Sequence, residues 1–158
     1  MADIFSKKKR GDLMANIKSK NTKLEINFLK AVSSELYPLG YRYRKHYRSL
    51  YGNPDIVFVK QKIAVFVDSE FWHGYRFEKN KKALKTHFWL SKIERNIIRD
   101  KKVNKVLKNL GWKVLRIWGK ETKEQPQIAV LKILKLLTSY TYGRSKEKVN
   151  RSFYQKNR

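Results

Sequence analysis

The spacing of apolar positions along the chain predicts a helix first. In the segment TKLEINFLKAVSSELYPLG, apolar residues recur at i, i+4, i+5, i+8 and i+12 from Leu24, which is typical of an amphipathic helix. Thr22 and Glu25 have the spacing of a capping box at its start, and Pro38 and Gly40 follow its end. The segment is therefore expected to be a helix that buries one face.

Shorter apolar runs follow, and they predict strands. The segment YRYRKHY alternates rings and cations, which is typical of a strand with one basic face. The runs DIVFV (Asp55–Val59) and KIAVFVD (Lys62–Asp68) are joined through Lys60 and Gln61, so they predict a hairpin of two strands buried on both faces. WKVLRIW predicts a third core strand.

Two further helices complete the predicted fold. FWLSKIERNIIRDKKVNKVLKNLG predicts a long amphipathic helix ended by Gly111, and QIAVLKILKLL predicts a last helix. This order of elements is typical of an α/β fold, with a small mixed central sheet flanked by helices on both faces. We expect one domain over residues 1–139, with a basic N-terminal arm over about residues 1–20. Residues 140–158 are expected to form a basic, flexible tail.

The charge balance narrows the class of partner. The 158 residues include 38 Lys and Arg against 13 Asp and Glu, a net charge of +25. A small domain with this charge repels itself unless an anion is near, and nucleic acid is the first expectation because phosphate binding releases counterions. Membrane surfaces and acidic proteins are weaker alternatives.

Composition also bears on location and on disulfides. The chain has no apolar run of about 18 residues that could span a bilayer, and its N-terminus is polar and lysine-rich, unlike a signal peptide. It has no cysteine, which excludes disulfides and thiolate metal sites. We therefore expect a cytoplasmic protein.

Acidic, aromatic and imidazole side chains cluster where the second apolar strand ends, in VFVDSEFWH. Asp55 begins one strand of the predicted hairpin and Asp68 ends the other, so the two carboxylates are expected at one end of the sheet. Carboxylates gathered there suit Mg²⁺, which prefers oxygen ligands and can activate water for attack on a phosphate. The alternative is structural: Asp55 caps a turn and Asp68 ends an edge strand.

Three blocks of sequence carry a family resemblance. NPDIVF, KIAVFVDSEFWHG and FWLSKIERNIIRDKKVNKVLKNLGWKVLRIW, in this order and at these intervals, resemble the very-short-patch repair endonucleases, bacterial enzymes that nick DNA beside T·G mismatches. With KSKNTKLE the likeness covers about Lys7 to Trp118. It implies the restriction-endonuclease-like PD-(D/E)xK fold and a magnesium-dependent endonuclease. It also implies that double-stranded DNA with a T·G mismatch is the partner, that the protein is a monomer, and that it is nucleoid-associated.

The resemblance implies roles for the residues of the strand end. Asp55 matches a metal-binding aspartate that follows proline, and the backbone carbonyl of Val67 matches its second metal ligand. Asp68 is a further candidate metal ligand, although some relatives carry histidine there. His73 matches the catalytic histidine, and Asp100 matches the acid that orients it.

Further matches concern the metal waters and the DNA. Glu25 matches an acid near the metal waters, although its capping box already explains it. Phe71, Trp72 and Trp89 match aromatic residues that wedge into DNA from the major groove, and Met14 matches an apolar residue inserted from the other side. Judged without the resemblance, Trp89 would be a packing residue of its helix and Met14 a weak core residue.

One departure from the family pattern affects the loop after His73. Relatives often hold a structural zinc through cysteines and a histidine around the FWH block. Here Glu70, Tyr75 and Phe77 stand near those positions, and Gly119 stands near the last. We therefore expect no structural zinc, and we expect aromatic packing or charge to hold this loop.

Three functions remain open from the sequence. The first is a magnesium-dependent endonuclease that nicks one strand beside T·G mismatches. The second is a related restriction or mobile-element nuclease that cuts matched DNA. The third is a non-catalytic basic protein that binds nucleic acid; Asp55, His73 and Asp100 argue against it, because a pure binder has no need of acids facing phosphate.

Overall fold

The computed structural model describes residues 23–81 and 87–140, together with Lys9 and Gly11. Met14, most of the predicted N-terminal arm and the tail after residue 140 lie outside the described residues. The elements, in chain order, are α1 (Lys23–Leu36), β1 (Arg44–Lys45), β2 (Ile56–Phe58), β3 (Ile63–Asp68), α2 (Phe77–Asn80), α3 (His87–Asn109), β4 (Lys113–Trp118), α4 (Gly119–Glu124) and α5 (residues 126–140).

The described strands form one mixed sheet in the order β1-β2-β3-β4. Strands β2 and β3 are the predicted hairpin, antiparallel with Ile56 opposite Val65. Strand β4 lies parallel to β3, with Val65 opposite Leu115, because α3 carries the chain back across the sheet between them. The α/β prediction of a small mixed sheet with helices on both faces is confirmed.

The alternation of side chains along β2 and β3 gives each face of the sheet its own core. Ile56, Phe58, Ile63 and Val65 face α1 and α5, where Phe28 of α1 is also buried. Each fully buried side chain of this size contributes about 1.5–3 kcal/mol to folding. The core on this face also includes Val32, Leu36, Ile117, Ala129, Val130, Ile133 and Leu137.

The opposite face of the sheet packs against α3. Val57, Ala64 and Phe66 contribute from the strands, and Val103 and Leu107 contribute from the helix. The side chains of Ala64 and Phe66, at alternate positions of β3, therefore point toward α3. Asp68 is the next position in this alternation, so its carboxylate is directed toward the same helix.

The first strand is much shorter than YRYRKHY predicts. Within this segment, strand pairing with β2 is limited to Arg44 and Lys45, which lie opposite Val57 and Ile56. The next residue, His46, has φ of 46°, a left-handed conformation that turns the chain out of the strand. Its N–H still donates to the carbonyl of Asp55, at 3.0 Å, so the turn stays next to the start of β2.

The long helix ends as its sequence predicts. Helix α3 runs to Asn109, and Gly111 follows with φ of 77°, a conformation that glycine adopts without steric cost. The N–H of Gly111 donates to the carbonyl of Lys108 at 2.9 Å. Within the described residues, no helix combines the length and apolar character needed to cross a membrane.

Candidate active site

Two of the predicted metal ligands lie side by side. Because β2 and β3 are antiparallel, Asp55 at the start of β2 stands beside the end of β3, and its Oδ2 accepts a hydrogen bond from the N–H of Val67 at 2.7 Å. In a strand, the N–H and C=O of one residue project toward the same edge. The carbonyl of Val67 therefore projects toward the edge where Asp55 lies.

This pair fits a hard cation better than a soft one. No group of three or more His, Cys, Asp or Glu side chains among the described residues could hold a metal ion. A carboxylate and a backbone carbonyl supply only oxygen ligands, and Mg²⁺ characteristically keeps several waters beside one or two carboxylates. Zinc sites, in contrast, are built mainly from histidine nitrogen and cysteine sulfur.

The carboxylate of Asp68 is engaged elsewhere. It is 4% exposed, and both of its oxygens accept bonds from Nη1 of Arg116, at 2.8 and 2.7 Å. This pairing follows from the alternation that turns Asp68 toward α3. A role for Asp68 as a metal ligand stays a prediction, and the geometry favours Asp55 and Val67 as the ligand pair.

His73 and Asp100, which are 27 positions apart, meet in the structure. Nδ1 of His73 lies 2.6 Å from Oδ2 of Asp100, because α3 brings Asp100 over the loop that follows β3. A carboxylate can only accept, so Nδ1 carries the proton in this bond. Nδ1 also lies 3.5 Å from Oδ1 of Asp68. Two carboxylates therefore flank one imidazole nitrogen.

Glycine allows the His73 loop to lie against α3. Gly74 has φ of 71°, and a Cβ at this position would be 2.6 Å from Cδ1 of Ile97. Any larger residue would require the Ile97 side chain or the loop to shift, and the positive φ would strain its backbone. On the other side of His73, the carbonyl of Trp72 accepts a bond from Nδ2 of Asn96 at 2.9 Å.

The three predicted wedge residues form a surface cluster. The ring centroids of Phe71 and Trp72 are 4.9 Å apart, and Trp89 lies 5.6 Å from each. Phe88, which sequence reasoning missed, adds a fourth ring 5.0 Å from Trp89. Phe71 and Phe88 are 44% and 39% exposed. We call these four residues the aromatic cluster.

A cavity of about 820 Å³ opens beside His73. Its wall carries two cations, two carboxylates and apolar surface, contributed by Arg76, Lys79, Glu78, Glu94, Ile97 and Trp118. The positive and negative charges of this lining balance, so it shows no preference for an anion. The cavity offers room next to the imidazole for part of a substrate.

The family model described as DNA mismatch endonuclease Vsr matches residues 2–79. The type II nicking enzyme V.HpaIIP of Haemophilus parainfluenzae is 43% identical over 127 residues, covering 79% of this chain and 87% of that protein. The type II nicking enzyme V.NmeDIP of Neisseria meningitidis is 46% identical over 121 residues, 75% of this chain and 79% of that protein. This chain belongs to the Vsr family.

A more distant relative carries the family name. DNA mismatch endonuclease Vsr of Escherichia coli is 35% identical over 119 residues, covering 75% of this chain and 74% of that protein. The resemblance drawn from the sequence is confirmed, and with it the restriction-endonuclease-like fold. The protein is an enzyme of a nuclease family, so the alternative of a non-catalytic binder loses its support.

Two further residues that the Vsr resemblance singled out are not described in full. Glu25 lies in α1, but its side chain is outside the described part of the chain. Met14 lies wholly outside the described residues. The roles of both, near the metal waters and in the DNA, stay predictions.

The positions near which other Vsr-family members hold zinc carry different contacts here. The carboxylate of Glu70 accepts a bond from the N–H of Lys120, which links the loop to the start of α4. The ring of Tyr75 packs edge-on against Trp118, with centroids 5.0 Å apart. Aromatic packing by Tyr75 thus holds the loop after His73, in agreement with the sequence, and the Glu70 carboxylate anchors the segment just before it.

Sequence reasoning missed the guanidinium at the centre of the site. Arg116 bonds Asp68, Asp100 and Asn104, but it lies in the apolar run WKVLRIW, which predicts a core strand. The available signal was an arginine in the middle of that run, in addition to Lys113 at its start. Its side chain lies on the same face of the sheet as Asp68. Only the β3–β4 register, with Phe66 opposite Arg116, shows what the cation meets.

Proposed function

We propose that this protein is a magnesium-dependent endonuclease that nicks one strand of double-stranded DNA beside a T·G mismatch, in very-short-patch repair. The observation that carries the proposal is the exposed aromatic cluster beside the imidazole: Trp72 directly precedes His73 and packs on Trp89. A nuclease that reads only base edges has no need of such rings. One that opens a base step does.

Asp55 and the carbonyl of Val67 are the groups we assign to the metal. Their oxygen donors and their bond through the N–H of Val67 support this assignment. The chemistry that Mg²⁺ supplies at such a position is neutralisation of charge on the scissile phosphate and activation of water. The backbone bond orients the Asp55 carboxylate, so its geometry is set before substrate arrives.

His73 is assigned the proton transfer. In phosphodiester hydrolysis a water oxygen bonds to phosphorus, one P–O bond breaks, the water loses a proton and the departing oxygen gains one. With Nδ1–H bonded to Asp100, Nε2 is the nitrogen left to exchange a proton. Asp100 thereby fixes both the tautomer and the orientation of the ring.

The aromatic cluster is assigned the recognition of a weakened base step. Unstacking a step costs a few kcal/mol, and a mismatched pair costs least to open. Stacking a base on an aromatic side chain returns about 1–3 kcal/mol and tolerates any base. Discrimination would therefore come mainly from how easily the step opens.

The names of the relatives point to two different specific functions, nicking in general and mismatch cleavage. The proteins with 43% and 46% identity are named nicking enzymes, which supports the cleavage of one strand. The name that specifies a mismatch belongs to the protein with 35% identity. A nicking nuclease of matched DNA is thus the competing proposal, and the aromatic cluster is what favours the mismatch.

The test is a strand-nicking assay on end-labelled duplexes of one sequence, either with a single T·G pair or fully matched, with and without Mg²⁺. We expect nicking of one strand of the T·G duplex only, and only with the metal. Equal nicking of both duplexes would replace the proposal with the matched-DNA nuclease. Binding of the duplex without cleavage under any divalent metal would reject the catalytic role.

A further inference from the structure

Arg116 lies where β4 passes beneath the His73 loop. Every nitrogen of its guanidinium has a partner: Nη1 donates to both oxygens of Asp68, Nη2 lies 3.2 Å from Oδ1 of Asp100, and Nε donates to Oδ1 of Asn104 at 3.1 Å. Its Cζ lies 4.6 Å from the ring centre of Phe66. The side chain is 19% exposed.

The electrostatic need for this cation is evident from its neighbours. Asp68 and Asp100 both approach Nδ1 of His73, so two carboxylates with little contact with water stand close together. Like charges in such a place repel strongly, and removing one partner of a buried ion pair leaves an uncompensated charge. His73 contacts both carboxylates as well, but Arg116 is the permanently charged side chain that contacts both.

The geometry of the guanidinium does more than neutralise charge. Asp100 offers Oδ1 to Arg116 and Oδ2 to His73, so the two partners together fix the rotation of its carboxylate. Asn104, one turn further along α3, holds Nε and so fixes the plane of the guanidinium. A planar fork can meet these demands at once, whereas an ammonium acts as a single point charge.

We propose that Arg116 is a positioning residue for His73: it acts through Asp100, and its two bonds to Asp68 keep that carboxylate apart from the metal ligands Asp55 and Val67. The inference rests on the proposed nuclease activity. It assigns Arg116 no contact with DNA. Losing the guanidinium should therefore slow the chemical step and leave duplex affinity unchanged.

The test is chemical rescue of Arg116→Ala under single-turnover conditions, with protein in excess over a nickable duplex. Partners that orient a metal-binding imidazole typically account for about 10–100-fold in activity, and we expect a contribution of the same order for an imidazole that transfers a proton. We expect a loss of this size in the single-turnover rate, with duplex affinity as in wild type. Guanidinium chloride at a low, non-denaturing concentration should restore a measurable part of the rate, because the free ion can bind between the same carboxylates.

Matched controls separate positioning from general effects. Sodium chloride at equal ionic strength should restore nothing, and guanidinium should not rescue His73→Ala, which keeps Arg116. Arg42→Ala removes another arginine, one whose bonds go to the carbonyls of Tyr37 and Tyr41. That variant should nick at the wild-type rate.

A second variant covers the case in which Arg116→Ala does not fold. Arg116→Lys keeps the buried positive charge but not the fork, so it should fold and still nick more slowly than wild type. A wild-type rate in either variant would overturn the proposal. So would a loss without rescue in folded Arg116→Ala, or a loss matched by weaker duplex binding. If wild-type protein nicks no duplex, the proposed function itself fails; if it nicks matched DNA, the same variants are tested on that substrate.

Discussion

Two groups of side chains lie close together along α3, and different interactions hold each group in place. The acid–imidazole network of Asp68, His73, Asp100 and Arg116 is mostly buried, and each member bonds at least one charged or imidazole partner. The aromatic cluster is partly exposed, and its rings contact one another. The acid–imidazole network is therefore held by several polar contacts, whereas part of the aromatic cluster faces solvent.

The difference suggests a division of labour. A preorganised polar network loses little by reorganisation when charge shifts during a reaction, which suits the proton-transfer step. Partly exposed rings that contact one another can exchange some of those contacts for bases, which suits the proposed recognition. Changes in the network should therefore alter the rate of nicking, and changes in the cluster should alter the choice of duplex.

The largest effect is expected at the proposed metal site. Asp55→Asn removes the carboxylate charge but keeps the size of the side chain and leaves the basic surface intact. Nicking should become undetectable, while duplex affinity should equal or exceed that of wild type. Nicking rate and duplex affinity are measured on one preparation, with Glu35→Gln, on the exposed face of α1, as a carboxylate control. Magnesium-dependent nicking by Asp55→Asn would remove this residue from the metal site.

The second effect tests the network itself. His73→Ala should lower the single-turnover rate by about 10²–10⁴-fold, the usual contribution of a positioned proton-transfer group, without changing affinity for the T·G duplex. The matched control is His87→Ala, whose imidazole lies at the exposed start of α3 near Ser91.

A different outcome would give His73 a structural role. If the variant nicks as fast as wild type, the imidazole takes no part in proton transfer. A lowered melting temperature with an unchanged rate would place its importance in the bonds to Asp100 and Asp68. Measuring both quantities on the same protein distinguishes the two roles.

Only part of the acid–imidazole network could be predicted from the sequence, because local patterns do not show which distant residues come into contact. The strand runs and their alternation predicted a mixed sheet, and the hairpin placed Asp55 near the end of β3. Asp100 was assigned by family resemblance, because the charges around it in RDKK indicate only a solvated helix face. Arg116 was missed because its partners depend on the β3–β4 register and on the rotation of α3, neither of which is encoded locally.

The DNA-binding roles of Phe71, Trp72 and Trp89 come from the family resemblance and stay predictions, but the exposure of two of these rings has a local signal. Phe71 and Trp72 follow a buried strand with no neighbour in sequence to shelter them, so their exposure is visible locally. Phe88 carries no signal of its own in the sequence, because an aromatic residue at the start of an amphipathic helix usually packs inward. Nor does any local pattern indicate that the left-handed backbone of His46 ends β1 beside Asp55.

The third effect concerns discrimination. Trp72→Ala should reduce nicking of the T·G duplex relative to nonspecific duplex binding by the value of one stacked base, about 1–3 kcal/mol or 5- to 150-fold. Mismatched duplex should quench tryptophan fluorescence in wild type, and most of that change should be lost in Trp72→Ala. The control is Trp112→Phe. This residue lies just before β4 and packs against the core on the α3 face of the sheet, so the variant should keep the quench. Full discrimination in Trp72→Ala would favour the matched-DNA nuclease.

The smallest effect is expected from substitution of Phe88. This substitution tests whether the four rings of the aromatic cluster act together. Phe88 packs edge-on against Trp89, which in turn contacts both Phe71 and Trp72. If Phe88 supports Trp89, its removal should loosen the cluster without removing a stacking surface. An aromatic pair contributes about 0.5–1.5 kcal/mol beyond its burial, so Phe88→Ala should weaken discrimination by about 2- to 12-fold.

The double variant Phe88→Ala, Trp89→Ala supplies the decisive comparison. If Phe88 acts through Trp89, the double variant should discriminate no worse than Trp89→Ala alone, because the supported ring is already absent. Additive losses would instead mean that Phe88 meets the DNA itself. Leu110→Ala, which removes an exposed apolar side chain just beyond the far end of α3, is the control and should leave discrimination unchanged. Wild-type discrimination in Phe88→Ala would limit the cluster to the three rings that the sequence predicts.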